Sequence, residues 1–158
     1  MTRLTLSLPM AQAFRAGLKT QTRRVNPPRF AVGDVVAIAE PCTVRLDPGE
    51  YSIVRCYYAA DDAVCILDDR AERERCATMK TVINATPRGA RYMPGWAERS
   101  KVLITKIEQQ HLSDITEADA VREGFTSRQD FLAYFGTLHK GPIDLTLPVW
   151  AISFEVVT

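Results

Sequence analysis

The chain lacks any acidic residue before Asp34, although its first 33 residues carry Arg3, Arg15, Lys19, Arg23, Arg24 and Arg29. That end suits an anionic or electron-rich ligand, or else a solvated face balanced by acids from elsewhere. A large net charge is also missing: 20 basic residues stand against 19 acidic ones. Such a balance argues against a protein that coats nucleic acid nonspecifically. Metal-type spacing is absent. Cys42, Cys56, Cys65 and Cys76 form no CxxC, and the two histidines, His111 and His139, are isolated. We therefore expect no metal, no cofactor and buried free thiols. No apolar run approaches the ~18 residues of a membrane span, and none follows Met1 as a leader would. The expectation is a cytoplasmic protein with no membrane partner. Repeats, linkers and low-complexity tracts are absent as well, which predicts one domain over residues 1–158.

What is present reads as a globular chain, with 46% hydrophobic residues available for a core. The spacing predicts a strand over Arg3–Leu8 and a short helix over Met10–Ala16, entered through Ser7 and Pro9 and ended by Gly17. Lys19–Val25 reads as extended, and Val35–Ala39 follows the Gly33-Asp34 turn as an apolar strand. Thr43–Leu46 is a further strand candidate. Tyr51–Tyr58 and Ala63–Leu67 read as a hairpin around Asp61-Asp62, with Cys56 and Cys65 able to face each other. Asp68–Lys80 is charged and helix-compatible, and Ala85–Trp96 reads as an ordered loop. Lys101–Glu108 is a strand candidate. Thr116 with Asp119, and Ser127 with Asp130, mark two helix starts. Val149–Val156 alternates, with Trp150, Ile152, Phe154 and Val156 on one face. Many strands with few short helices predict an α+β class and a compact mixed barrel.

The segment GLKTQTRR, Gly17–Arg24, concentrates functional groups. In an extended chain Lys19 and Gln21 point one way, and Thr20, Thr22 and Arg24 the other. A twist or bulge would be needed to set Lys19 beside Thr22. On spacing alone the segment also reads as an ordinary basic strand edge, and Glu123 as a solvated carboxylate in a last helical turn.

This segment resembles the GxKTxTxR signature of ASCH domains, a branch of the PUA-like superfamily. Four further resemblances follow in order: Gly33-Asp34 with the apolar run ending at Glu40; Met93, Pro94, Trp96, Ala97 and Arg99; Leu112, Asp114, Ile115, Ala120 and Glu123-Gly124; and Val149–Phe154. Together they run along nearly the whole chain. They resemble phage and prophage members, with an insertion-like segment around 45–80. The neighbours of Glu40 (Ala37, Ala39 and Cys42) and Gly95 depart from the pattern common in those members.

The resemblance implies a mixed β-barrel flanked by short helices, with a cleft lined by the KTxT segment. It also implies an amidohydrolase acting on an N4-acylated cytidine or similar modified nucleoside through a Lys19, Thr22 and Glu123 triad. Thr20, Arg23, Arg24, Glu40, Tyr92 and Trp96 are the candidate substrate contacts. Lys19 can activate Thr22 only when neutral. Moving its pKa from about 10.4 to about 7–8 costs about 3–4 kcal/mol. Burial and the charges of Arg23 and Arg24 act in that direction, and an ionised Glu123 acts against it. Direct activation of water by Lys19 or Glu123 is the open variant. The alternative function is a noncatalytic RNA- or DNA-binding module, with Arg23 and Arg24 on phosphates and Tyr92 or Trp96 stacked on bases.

Overall fold

The computed structural model describes residues 2–47, 53–67, 88–139 and 141–157. Eight strands are described: β1 (Arg3–Thr5), β2 (Gln21–Arg24), β3 (Val35–Ala39), β4 (Cys42–Asp47), β5 (Ile53–Tyr58), β6 (Val64–Ile66), β7 (Lys101–His111) and β8 (Pro148–Val157). The helices are α1 (Leu8–Arg15), α2 (Glu117–Arg122) and α3 (Arg128–Leu138). The class is α+β. The described strands form two open sheets, ordered β1-β3-β7-β8-β2 and β4-β5-β6, and no barrel closes among them.

Contacts divide the chain into two compact units. The first holds residues 1–2, 13–36 and 100–158. Its frame is the long antiparallel pair β7–β8, extended by β2 in the register Thr22 opposite Ile152. A shift between Ile104 and Lys106 marks a bulge in β7. Ile152 and Phe154 are buried on β8, but Trp150 is half-buried and Val156 is 61% exposed. The uniform apolar face expected for this strand is therefore interrupted: Val149 and Ala151, on the opposite face, are buried as well. Leu112, Ile115, Ala120, Phe131, Phe135 and Val149 form one core cluster of this unit.

Both expected caps are present here. The Thr116 hydroxyl accepts from Asp119 N at 3.1 Å, while the Asp119 carboxylate accepts from Thr116 N at 3.2 Å. Asp does the work of the usual Glu in this capping box. Ser127 caps α3 by accepting from Asp130 N.

The second unit holds residues 3–12 and 37–99. In it β1 runs parallel to the end of β3, Leu4 opposite Ile38. The hairpin β5–β6 turns at Asp62, which adopts a left-handed φ of 56°, and Asp61 accepts from Ala63 N. The loop before Arg99 contains two 3₁₀ turns, Ala90–Tyr92 and Gly95–Ala97. Its core gathers Ala39, Cys42, Cys56, Tyr58, Ala90, Met93 and Ala97. The expected helix over Asp68–Lys80, Cys76 and half of the insertion-like segment 45–80 lie outside the described residues. No described helix is long and apolar enough to cross a membrane.

Candidate functional site

In the first unit the site begins at the end of α1. Gly17 takes a left-handed φ of 73°, and the amides of Leu18 and Lys19 both donate to the Ala13 carbonyl. This C-terminal cap fixes where Lys19 leaves the helix. Thr20 N then donates to Arg122 O at 2.8 Å, which joins the segment to the end of α2. Gly124, just past α2, has a φ of 94°. A Cβ added there would lie 2.5 Å from the Ala13 Cβ and 3.7 Å from the Lys19 Cβ. Only glycine permits both the turn and that approach. The adjacent Glu123 is thereby carried to Lys19.

Lys19 Nζ donates to Gln21 O at 2.7 Å, to Glu123 O at 3.0 Å and to Glu123 Oε2 at 2.9 Å. Its three N–H groups are all occupied. The two side chains are 0% and 2% exposed. Arg23 Nη1 donates to Glu123 Oε1 at 3.1 Å and to Gln21 Oε1 at 3.1 Å. Arg23 Nη2 donates to Gln110 Oε1 at 3.0 Å and lies 3.2 Å from Asp119 Oδ2. Each oxygen of Glu123 thus meets one cation. The Arg23 Nε is buried without a partner among the described residues.

Burial pushes the Lys19 ammonium below its ordinary pKa; Glu123 opposes this, and Arg24 and Arg23 add to it. Burial likewise lowers Arg24, which feels both Glu123 and Tyr134. A lysine tuned downward beside a carboxylate is a group able to take and return a proton. Lys19 also answers a local problem. Glu123 at a helix C-terminus opposes the helix dipole, and Lys19 neutralises both its carboxylate and its backbone carbonyl.

The structure thus brings Lys19 and Glu123 together. Thr22 is buried on β2 and alternates with Gln21 and Arg23; its hydroxyl hydrogen-bonds neither Lys19 nor Glu123. No strand bulge is involved, because Lys19 lies before β2 begins. Arg23 is a sealed clamp with a fully buried side chain rather than an exposed phosphate contact. Arg24 is half-buried, and Thr20 is exposed.

In the second unit Glu40 is fully buried and held by Arg99, whose Nε and Nη2 donate to Oε1 and Oε2 at 3.1 and 2.8 Å. Arg99 also donates twice to Asp61 at 2.9 Å and sits 3.7 Å over the Tyr58 ring. Burial works against its charge, but the hydrogen bonds of Glu40 and Asp61 raise its pKa above the ordinary value. The sequence alone assigns Arg99 no role. The signal was Glu40 itself, a carboxylate at the end of an apolar strand that had to find a cation. Trp96 is half-buried against this core, whereas Tyr92 is 56% exposed with Arg88 and Arg91 at 5.5 and 5.3 Å from its ring.

No His, Cys, Asp and Glu cluster able to hold a metal ion exists among the described residues. No family model, curated protein or solved structure matches this chain.

Proposed function

We propose that the chain is an amidohydrolase-like ASCH domain of the PUA-like barrel type, acting on an N4-acylated cytidine or a similar modified nucleoside. One observation carries the reading. Lys19 and Glu123, 104 residues apart, meet as a sealed ion pair whose ammonium is pushed toward neutrality. Burying such a pair costs more than burying apolar groups of the same size, so stability alone gives weak reason for it.

In the proposed reaction the amide and water become a carboxylic acid and an amine. Neutral Lys19 takes the proton from the attacking oxygen, either the Thr22 hydroxyl or a water molecule. Transfer of the ammonium proton to Glu123 within the pair is what leaves Lys19 neutral, and the protonated Glu123 gives that proton to the exocyclic nitrogen as it leaves. With Thr22 as nucleophile, water then cleaves the acyl-threonine ester. Substrate binding has to free one of the three Lys19 N–H groups, so the reactive geometry differs from the resting one.

The test is conversion of N4-acetylcytidine to cytidine. Wild type is expected to turn over, and Glu123→Gln to lose at least about 100-fold in kcat/KM while keeping its circular dichroism spectrum. Thr22→Ala separates the two nucleophiles: it abolishes an acyl-threonine route and spares a water route. A folded wild type without turnover overturns the proposal.

The exposed Tyr92, with two arginines near its ring, favours a second reading, a nucleic-acid-binding module that stacks a base on that ring. It predicts salt-sensitive oligonucleotide binding that Tyr92→Ala and Arg24→Glu both weaken.

A further inference from the structure

Outside the ion-pair sites, the second unit sets three free thiols in a row. Cys42, Cys56 and Cys65 stand on β4, β5 and β6, and all are unbridged. The register places Cys56 directly opposite Cys65, and Cys42 opposite Tyr58, two residues from Cys56 on the same face. The thiols of Cys42 and Cys56 interact, and this contact together with burial raises Cys56 well above the ordinary thiol range. Cys42 and Cys56 are buried, whereas Cys65 is half-buried.

We propose that Cys56 and Cys65 are a modification site, a dithiol that hydroperoxides convert reversibly to a disulfide across β5 and β6. The pairing geometry allows it. Tyr58 N donates to Ala63 O, and Leu67 N to Val54 O. By the alternation of an antiparallel ladder, Cys56 and Cys65 between them are a hydrogen-bonded pair. Such residues have Cα atoms about 5.5 Å apart, within the span of a disulfide. Their Cβ atoms begin about 4.5–5.5 Å apart, at or beyond the usual disulfide spacing, so the bond is of the readily reduced kind.

Exposure orders the chemistry. The Cys65 thiolate attacks one peroxide oxygen; the O–O bond breaks, giving a Cys65 sulfenic acid and releasing hydroxide, or water once protonated. The Cys56 sulfur then attacks the Cys65 sulfur, the S–O bond breaks, and its hydroxyl leaves as water. Overall two thiols and one hydrogen peroxide give one disulfide and two waters. The bond would tie β6, a three-residue strand at the sheet edge, to its neighbour.

The sequence supplies a clean assay. Trypsin cleaves after Arg55 and Arg70, so one peptide carries Cys56 and Cys65 and neither Cys42 nor Cys76. The reduced, folded full chain is treated with hydrogen peroxide, its remaining thiols are alkylated, and it is digested without reductant. The expected result is loss of two hydrogen atoms from that peptide alone, reversed by dithiothreitol. Cys65→Ser should abolish the loss, and Cys42→Ala should retain it. Full alkylation of both thiols after peroxide overturns the proposal. So does a disulfide that links either residue to Cys42 or Cys76, or a sulfinic acid at Cys65 with Cys56 still free.

Discussion

Two buried glutamates, one in each unit, are handled in opposite ways. Glu123 shares Lys19 and Arg23 behind a surface that leaves 0–2% of these side chains exposed. Glu40 is gripped by the fork of Arg99, which remains 20% exposed and stacks on Tyr58. Burial drives Lys19 toward neutrality, while hydrogen bonds donated to two carboxylates hold Arg99 more firmly charged. The choice of cation explains the difference in chemical reach. A lysine shifts readily when desolvated, whereas a guanidinium stays charged and offers geometry instead. Only the Lys19 pair is suited to moving a proton, so the proposed chemistry belongs there, and the Arg99 cluster acts as a tie.

The largest effect that would sharpen this contrast is Lys19→Ala. It strips the sealed carboxylate of one of its two cations and should cost about 3–5 kcal/mol in urea unfolding. Arg99→Lys keeps a charge on the more exposed Glu40 pair but loses the fork, and should cost about 1–2 kcal/mol. Equal losses at the two sites would remove the contrast. Gly124→Ala tests the backbone beneath the Lys19 pair. Its Cβ would collide with Ala13 in a left-handed turn, which predicts a loss of about 2–4 kcal/mol by the same measurement. A neutral outcome there would mean that α2 does not need its close approach to bring Glu123 to Lys19.

The smallest expected effect is on acid stability. Burial raises the Asp119 carboxyl, but its Thr116 hydrogen bonds and the charges of Arg23 and Arg122 outweigh this and hold it below its ordinary 3.8. Because the folded pKa lies below the unfolded one, the stabilisation is present above pH 3.8 and disappears as pH falls through the folded value. Asp119→Asn should therefore flatten the stability profile in that acidic window and leave its slope near neutrality unchanged. A wild-type slope that persists in the variant would assign the acid sensitivity to other carboxylates.

Local chemistry in the sequence marked much of the fold. Thr116 and Ser127 announced their helices because a hydroxyl followed three residues later by a carboxylate can satisfy free amides at a helix start. Val35–Ala39 was legible as a strand from its apolar run, and Asp61-Asp62 as a hairpin turn from its side chains. Barrel closure was not legible, because alternation predicts strands but does not say which edges pair. Val156 continued the alternating pattern of β8 yet lies exposed, since an alternating sequence does not show where the packing against it ends. Lys19 and Glu123 were named through family resemblance. Their direct contact required Gly124 against Ala13, which no residue spacing encodes. Arg23, grouped with Arg24 as a surface contact, is fully buried because Gln21, Gln110, Asp119 and Glu123 converge on it from β2, β7 and α2.

The order of residues by itself determined the caps, the turns, the strand candidates and the balance of charge, all of which depend on neighbours a few positions apart. Tertiary structure alone decided which carboxylate meets which cation and which of those pairs is shut away from water. The reason is physical: burial and ion pairing depend on distances through space, and those distances exist only after the strands and helices have packed.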